Sequence, residues 1–400
     1  MGAGNRGIRS FGDLIGRRID AQVVALADTN LVRAEGAAEL IGSKPALYPS
    51  LADMLASENL DGLVITTPDY LHAEHVLAAL EGGVRHVLVD KPLATSVEGC
   101  RKVRDATLHS SSRLSMGFNL RHLPVVSNVK QIIDNGHIGN LMLIGDREFY
   151  NGGRTYFGRW NGRREFSGGL WIHKGSHDFD VYNWWNSGGT PLRVMASAGV
   201  NALRADKVPF DVQPGKPFGP DCASYLYNDI CPDVDLPAVR SKLYNDETVQ
   251  VDGYRPDKCI FLADTDVHDN GIAVVEYSTN VRASHLECFV CGFDDRLYTV
   301  VGDRGTIMTN LANPTQVEVR PRRGSSYIVD VPLPEDGDMH SGADPLLFEN
   351  FVMGIHGQGH PNSSVRDGLR SVAIGEAAEN AWRERRSVDI SELANVDELQ

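Results

Sequence analysis

The chain has 400 residues, of which 42% are apolar and 23% charged, and this composition argues against a disordered, collagen-like or disulfide-scaffold protein. Its formal charge of −14 disfavours binding to nucleic-acid phosphates or to an anionic membrane surface. The length predicts two domains at roughly 100–200 residues each, and no stretch approaches the roughly 18–20 apolar residues that span a bilayer.

Short apolar runs alternate with amphipathic stretches over the first 120 residues. Strands are predicted at 22–27, 62–66, 86–89 and 113–117. Helices are predicted between them at 31–41, 70–80 and 96–108. Because the strand runs are rich in valine, isoleucine and leucine, the pattern predicts a parallel sheet that is covered on both faces.

A glycine pattern opens the chain. Residues 2–7, Gly-Ala-Gly-Asn-Arg-Gly, fit G-x-G-x-x-G and begin a helical stretch, and Asp28 ends the next predicted strand. The glycines allow a tight turn and let backbone N–H groups approach a pyrophosphate. An acidic residue at the position of Asp28 accepts hydrogen bonds from an adenosine ribose, which favours NAD over NADP. Residues 1–120 are therefore predicted to form a Rossmann nucleotide-binding domain.

The strand that normally precedes this motif is missing, since the motif begins at residue 2. That strand is central in a doubly wound sheet, so we expect its absence to open the core and leave neighbouring edges unpaired. A shortened N-terminus, a misassigned start and another segment in the strand's place all stay open. An export signal ahead of Met1 stays open too, although the six scattered cysteines favour a reduced, cytoplasmic protein.

Strand candidates follow one another beyond residue 120, at 141–149, 192–198, 258–267, 272–278, 282–289 and 297–301. Consecutive strands without helices between them predict a large, mainly antiparallel open sheet, so residues 121–400 are assigned to an α+β domain. Helices are predicted at 122–135, 345–355 and 365–383. Residues 205–256 carry many Pro, Asp and Tyr with little periodicity and are interpreted as an inserted surface loop.

Four further motifs accompany the glycine pattern. They are Thr-Thr-Pro-Asp-Tyr-Leu-His at 66–72, Asp-Lys-Pro at 90–92, Gly-Phe-Asn-Leu-Arg at 117–121, and a segment from Gly-Gly at 168–169 to His-Asp-Phe-Asp at 177–180. Over nearly the whole chain the sequence resembles the Gfo/Idh/MocA family, which includes glucose–fructose oxidoreductase and inositol dehydrogenase. The resemblance implies a first domain that binds NAD(P) and a second domain whose open sheet contacts substrate or another subunit.

The cofactor, NAD rather than NADP, is expected to contact the glycine pattern and the ends of the following strands. The predicted residues are Gly2, Gly4, Asn5, Arg6, Gly7, Asp28, Thr66, Thr67, Pro68, His72, Asp90, Lys91 and Asn119. Most of them follow strands, and ligands of open α/β sheets bind at the carboxyl ends of the strands.

Lys91, His177 and His173 are the predicted catalytic residues. An ammonium group at Lys91 could polarise the reacting oxygen and lower the pKa of the substrate hydroxyl. His177 matches the histidine of the family's His-x-x-Asp motif, so the resemblance implies a general base, oriented by Asp180. His173 lies one turn earlier on the same face and would recognise a hydroxyl or share the proton transfer. Both histidines and Asp180 could also bind a metal, but no further ligand is evident and no metal is predicted.

Four residues are predicted to contact the substrate: Arg121, Lys174, Asp180 and Trp160. Arg121 matches a family position at the junction of cofactor and substrate. Aromatic faces such as that of Trp160 stack on the C–H surfaces of sugars. His340 and Asp344 resemble a family segment near the pocket and are added as substrate contacts.

Three functions stay open. The first is NAD-dependent oxidation of a secondary hydroxyl of a sugar, glycoside or cyclitol, and the second is redox-assisted glycoside cleavage, for which His173 could supply an extra base. The third is a ligand-binding family member without turnover. The expected partners are a small carbohydrate or polyol and further copies of the chain, bound through the C-terminal sheet, with neither nucleic acid nor membrane.

Overall fold

Short parallel strands flanked by helices form the N-terminal part of the computed structural model, which describes residues 1–216, 218–224, 226–236, 240–333 and 340–399. Two strands pair in one sheet and three in another. The strands are β1 (Ala25–Ala27), β2 (Ala46–Tyr48), β3 (Gly62–Ile65), β4 (His86–Val89) and β5 (Arg113–Met116). Every pairing among them is parallel, as the continuous apolar runs predict.

Met1 and Gly2 lie between these two sheets. The Met1 α-amino group donates to the Val64 carbonyl at 2.8 Å, and the Gly2 N–H donates to the Ala27 carbonyl at 2.8 Å. The Thr66 N–H donates to the Met1 carbonyl at 3.0 Å. The expected central strand is thus represented by two residues, and the parallel sheet is split into two on either side of them.

Helices connect these strands, and side chains cap three of them. They are a π-helical segment (Arg6–Gly12), α1 (Asp13–Gly16), α2 (Leu31–Ile41), α3 (Leu51–Ser57), α4 (His72–Glu81) and α5 (Val97–Leu108). The side chains of Asn30, Ser50 and Ser96 accept a hydrogen bond from the third residue of α2, α3 and α5, so each start is capped. Gly42 ends α2 with a φ of 71°, a left-handed conformation that glycine adopts without steric cost.

A nine-stranded mixed sheet dominates the remainder. Its strands are β6 (Leu141–Phe149), β7 (Pro191–Gly199), β8 (Asn270–Tyr277), β9 (Arg282–Cys288), β10 (Asp295–Gly302), β11 (Gly305–Asn310), β12 (Gln316–Pro321), β13 (Tyr327–Asp330) and β14 (Val388–Asp389). Their order is β13-β12-β11-β10-β6-β9-β8-β7-β14. Only the β6–β9 pairing is parallel among these described strands. The predicted α/β fold with a mostly antiparallel second sheet is therefore confirmed.

The remainder also contains helices, of which the longest packs on β7. They are α6 (Pro124–Asp134), α7 (Gly153–Phe157), α8 (Arg164–Ser167), α9 (Leu170–His173), α10 (Ser176–Trp185), α11 (Asp246–Asp252), α12 (Ala343–Ile355), α13 (Val365–Glu384) and α14 (Val396–Leu399). Trp171, Phe179 and Trp185 are buried in the main core, to which the covered face of the sheet also contributes. Among the described residues, none of the helices has the length and apolar character needed to cross a membrane.

Residues 258–267 do not form the predicted strand. Lys258 makes one isolated bridge with Asp221, and the residues after it form turns. Ile260, Phe261 and Val267 are buried in a separate apolar cluster. Apolar burial in a loop gives the same sequence pattern as a buried strand, so the pattern could not separate the two. The described part of the inserted segment also contains helix α11, whereas its composition had predicted only a surface loop.

Candidate active site

One cavity of about 700 Å³ runs past the carboxyl ends of β1, β3 and β4 towards α10. Its volume lies within the roughly 300–1,000 Å³ of ligand and cofactor pockets. Predicted cofactor residues line one part of it, namely Gly2, Gly4, Asn5, Arg6, Asp28, Thr66, Thr67, Pro68, Asp90 and Lys91. Predicted catalytic and substrate residues line the other, namely Trp160, His173, Lys174 and His177.

The glycine loop leaves no room for side chains at two of its positions. A Cβ on Gly2, whose φ is 91°, would lie 2.9 Å from backbone atoms of Thr66 and Thr67. A Cβ on Gly7 would lie 2.3 Å from the Gly2 carbonyl oxygen. Close backbone packing of this kind is what a pyrophosphate-binding turn requires. The loop, together with Asp28 in the same cavity, therefore fits a dinucleotide.

Asp28 is held by three donors at the end of β1. The Ala3 N–H donates to one carboxylate oxygen at 2.9 Å, and the Asn30 N–H donates to the other at 2.9 Å. Arg33 Nη1 donates to that second oxygen at 3.2 Å. The carboxylate thus lies in a fixed position in the cavity wall, where a ribose diol could donate to it.

Arg6 joins the glycine loop to the loop that carries Lys91. Its guanidinium donates to both carboxylate oxygens of Asp90, at 3.1 and 3.2 Å, and to Asp344 at 2.6 Å. Burial disfavours the charge of Arg6, but the two carboxylates outweigh it and raise the pKa of the guanidinium. Asp90 therefore has Arg6 as its hydrogen-bonded partner, and its charge acts on Lys91 from a distance.

Lys91 lies where the cofactor part of the cavity meets the substrate part. Its Nζ donates to the His173 carbonyl oxygen at 2.6 Å. Burial lowers the pKa of Lys91, against the opposing attraction of Asp69 and Asp90. An ammonium group at this position can donate to an oxygen in the cavity and stabilise negative charge that develops on it.

His173 forms a pair with a carboxylate that sequence reasoning did not single out. Its Nδ1 lies 2.6 Å from an Asp69 carboxylate oxygen, and its Nε2 lies 3.3 Å from the side-chain nitrogen of Asn161. Burial lowers the pKa of His173 and raises that of Asp69 to about 7. Asp69 follows β3 in the same motif as Thr66, Thr67 and Pro68, and its place at a strand end was the available signal.

His177 lies in the first turn of α10 and lines the cavity. Its Nδ1 is buried and accepts or donates no hydrogen bond within the described part of the chain. Burial, and next the charge of Lys91, hold the pKa of His177 well below its usual 6.5. The imidazole is therefore neutral at pH 7, which is the form that accepts a proton.

Lys174, Tyr156 and Trp160 line the end of the cavity predicted to hold the substrate. Lys174 Nζ lies 2.7 Å from a Glu148 carboxylate oxygen and 5.3 Å from the centre of the Tyr150 ring. Tyr156 and Trp160 make edge contacts with the His173 ring, at centroid distances of 5.8 and 5.4 Å. This end of the cavity presents aromatic surface beside a charged pair, as sugar-binding sites do.

Arg121 and Asp180 do not reach the cavity. They form a buried ion pair, with Arg121 Nη2 2.7 Å from Asp180, and Asp367 accepts from the same nitrogen at 2.8 Å. Asp180 therefore neither orients His177 nor joins the two histidines as a metal ligand, and neither residue is placed to contact substrate. The spacing of His177 and Asp180 on one helix face was compatible with a shared site. Asp180 and Asp367 instead both form ion pairs with the buried guanidinium of Arg121.

Gly7, His72 and Asn119 also lie outside the cavity lining, and support it instead. The two ring nitrogens of His72 lie 2.6 Å from the Pro92 carbonyl and 2.8 Å from the Thr67 carbonyl, which joins two cavity loops. Asn119 donates to Asp344 at 2.8 Å. His340 lines the cavity, whereas Asp344 acts through its contacts with Arg6 and His340.

Sequence matches cover both parts of the chain. Residues 1–118 match the NAD-binding Rossmann fold of an oxidoreductase family, and residues 130–390 match the C-terminal alpha/beta domain of the same family. The Bacillus subtilis protein named as oxidoreductase YteT is 28% identical over 370 residues, which are 87% of this chain and 85% of that protein.

Curated dehydrogenases match over a shorter region. Glucose-6-phosphate 3-dehydrogenase of Bacillus subtilis is 34% identical over 125 residues, 31% of this chain and 34% of that protein. Inositol 2-dehydrogenase 3 of Saccharopolyspora erythraea is 36% identical over 124 residues, 31% of this chain and 36% of that protein. The match therefore spans about a third of each of these two enzymes.

Solved structures share the fold over nearly the whole chain. A levoglucosan dehydrogenase in complex with NADH and levoglucosan has a TM-score of 0.73 at 17% identity, covering 97% of both chains. The WlbA dehydrogenase of Bordetella pertussis, in complex with NADH and UDP-GlcNAcA, has a TM-score of 0.71 at 20% identity, covering 97% of this chain and 95% of the other. With its glycine loop, its Asp28 and these matches to both domains, the chain belongs to the Gfo/Idh/MocA family of NAD-binding oxidoreductases.

Proposed function

We propose that the protein oxidises a secondary hydroxyl of a sugar, glycoside or cyclitol with NAD as the hydride acceptor. The observation that carries the proposal is the single cavity in which Lys91, His173 and His177 lie beside the glycine loop. We assign residues 1–120 to cofactor binding and residues 121–400 to substrate binding and self-association. Relatives named for inositol, glucose 6-phosphate and levoglucosan support this class of substrate.

The cofactor end has the residues that NAD requires. The backbone at Gly2, Gly4 and Asn5 would contact the pyrophosphate, and Asp28 would accept from the adenosine ribose. When bound, NAD supplies the acceptor for the hydride that leaves the carbinol carbon. The chain's own residues supply the binding, the orientation and the movement of the proton.

Lys91 and His177 have separate roles in the deprotonation of the hydroxyl group. The Lys91 ammonium donates to the hydroxyl oxygen and stabilises the negative charge that grows on it as the proton leaves. The neutral His177 imidazole, whose lowered pKa follows from burial and from Lys91, accepts that proton. Tyr156 and Trp160 would stack on the C–H face of a sugar ring.

The test measures absorbance at 340 nm while the purified protein is incubated with NAD and a panel of sugars, cyclitols and aryl glycosides. We expect NADH to accumulate steadily with at least one polyol. A protein that binds NADH but reduces NAD with no member of the panel would contradict the proposed dehydrogenase.

The His173–Asp69 pair favours a second candidate, redox-assisted glycoside cleavage. That reaction requires a further base, which removes a proton from the carbon next to a transiently oxidised position, and His173 held by a carboxylate 2.6 Å away is suited to it. No reduced cofactor accumulates in this reaction. Release of the aglycone from an aryl glycoside without growth at 340 nm would therefore transfer the assignment from the dehydrogenase to the cleaving enzyme.

Self-association through the open face of the nine-stranded sheet is part of the proposal. Leu143, Met195 and Ile272 project from this face with 43%, 40% and 50% of their surfaces exposed. Several exposed apolar side chains on one uncovered sheet face are typical of interaction sites. We expect the double substitution Leu143→Arg and Ile272→Arg to reduce the molar mass measured by light scattering to that of one chain. Leu108→Arg, at a 74% exposed position on α5, is the control, and an equal effect there would contradict the assignment.

A further inference from the structure

The inserted segment packs against α2, beside the part of the cavity where the adenosine half of NAD would bind. A Cβ on Gly36 of α2 would lie 2.3 Å from the Lys242 carbonyl oxygen, so the two backbones approach closely. Asn30, the cap of α2, donates from its side chain to the Thr248 carbonyl at 2.9 Å. Tyr244, Asp252 and Tyr254 of the segment line the same cavity as Asp28 and Gly4, although composition had predicted only a surface loop.

Arg33 of α2 lies between two carboxylates at this point. Its Nη1 is 3.2 Å from Asp28, and its Nη2 is 2.5 Å from Asp252 of the inserted segment. Its Nε donates to the Leu243 carbonyl at 3.3 Å. Only 9% of the Arg33 side chain is exposed, so water screens these contacts weakly. All three nitrogens of the guanidinium are therefore engaged by the chain itself.

Tyr244 of the inserted segment contacts the same Arg33 guanidinium through its ring. The Arg33 guanidinium lies 5.2 Å from the centre of the Tyr244 ring, within the range of a cation–π contact. A Cβ on Gly4 of the glycine loop would lie 3.0 Å from the Tyr244 hydroxyl oxygen, so the ring also packs against that loop. The inserted segment thus reaches from α2 to the loop expected to hold the pyrophosphate.

We propose that Asp252 makes the site selective for NAD over NADP, because it holds Arg33 in an ion pair and prevents the guanidinium from binding a 2′-phosphate. NADP differs from NAD by that phosphate on the adenosine ribose, and a nearby arginine is what normally accommodates it. Here the arginine is present, but two carboxylates, those of Asp28 and Asp252, pair with its guanidinium. The inference rests on the proposed function and adds to it a specificity-determining residue outside the Rossmann domain.

The test compares the dissociation constants of NADH and NADPH, measured from nicotinamide fluorescence without any substrate. Asp252→Asn removes the charge and keeps the size of the side chain. We expect it to tighten NADPH binding about 10- to 100-fold relative to NADH binding, the value of one charge-assisted contact. Adding Arg33→Met to this variant is expected to remove the gain, because the guanidinium is the group that binds the phosphate.

Glu39→Gln is the matched control. Glu39 also joins α2 to the inserted segment, through Lys242 at 2.7 Å, but this pair is exposed and outside the cavity lining. We expect the ratio of NADPH to NADH affinity in the Glu39→Gln variant to equal that of the wild type. An unchanged ratio in folded Asp252→Asn, or a wild type that prefers NADPH, overturns the inference while NADH binding still supports the proposed function. A wild type that binds neither cofactor overturns both.

Discussion

Lys91→Met is expected to lower kcat by about 10²–10³-fold while the dissociation constant for NADH stays nearly unchanged, since one preorganised donor to a developing oxyanion contributes this much. The ammonium group lies at the junction of the two parts of the cavity, and its 2.6 Å bond to the His173 carbonyl holds it there. Methionine has a similar length but carries neither charge nor donor, so the reacting oxygen loses its stabilising partner. The measurement is steady-state turnover at 340 nm beside a fluorescence titration with NADH.

Lys102→Met is the control for this variant. Lys102 lies on α5, 63% exposed, and contacts Glu98 at 3.8 Å, so the substitution removes a lysine without touching the cavity. We expect turnover close to that of the wild type. Turnover in Lys91→Met that equals the control would show that Lys91 is not the group on the reacting oxygen. A loss of NADH binding in the same proportion would make it a cofactor residue only.

The cavity residues at strand ends could be predicted from the strand pattern and His177 from the family resemblance, whereas those that the inserted segment contributes could not. Asp28, Thr66 and Lys91 each end or follow a predicted strand, and the structure places all three in one cavity. The geometry of parallel sheets makes this inference possible, because carboxyl ends of neighbouring strands meet at one edge.

Asp252 and Asp180 show the limit of the same reasoning. Asp252 lies 224 positions after Asp28 in an inserted segment without periodicity, so no local pattern indicates its contact with Arg33. Asp180 has the spacing of a partner for His177, yet buried Arg121 attracts it from a different element at 2.7 Å. Helical spacing shows which side chains share a face, but long-range charge pairing decides which group each one binds.

His177→Gln is expected to lower kcat by about 10²–10⁴-fold, the usual contribution of a positioned general base. The pH dependence provides the more specific test. Because burial and Lys91 lower the pKa of His177, its neutral form persists below pH 6.5, and activity should be lost only as the pH falls through that lowered pKa. Lys91 acts in its charged form, and its pKa is also lowered, so activity should fall on the alkaline side before pH 10.5.

The variant His173→Gln distinguishes the roles of the two histidines. It removes the ring that Asp69 holds at 2.6 Å but leaves His177 and Lys91 in place, so a dehydrogenase that uses His177 should keep its acid limb in the profile of kcat/KM. His177→Gln should remove that limb, because the remaining histidine, His173, is paired with Asp69 and does not accept the proton from the hydroxyl in this mechanism. The reverse outcome, with the limb lost in His173→Gln and kept in His177→Gln, would assign the base to the His173–Asp69 pair. That result would also strengthen the case for glycoside cleavage, since the base would then be the carboxylate-held residue that this second reaction requires.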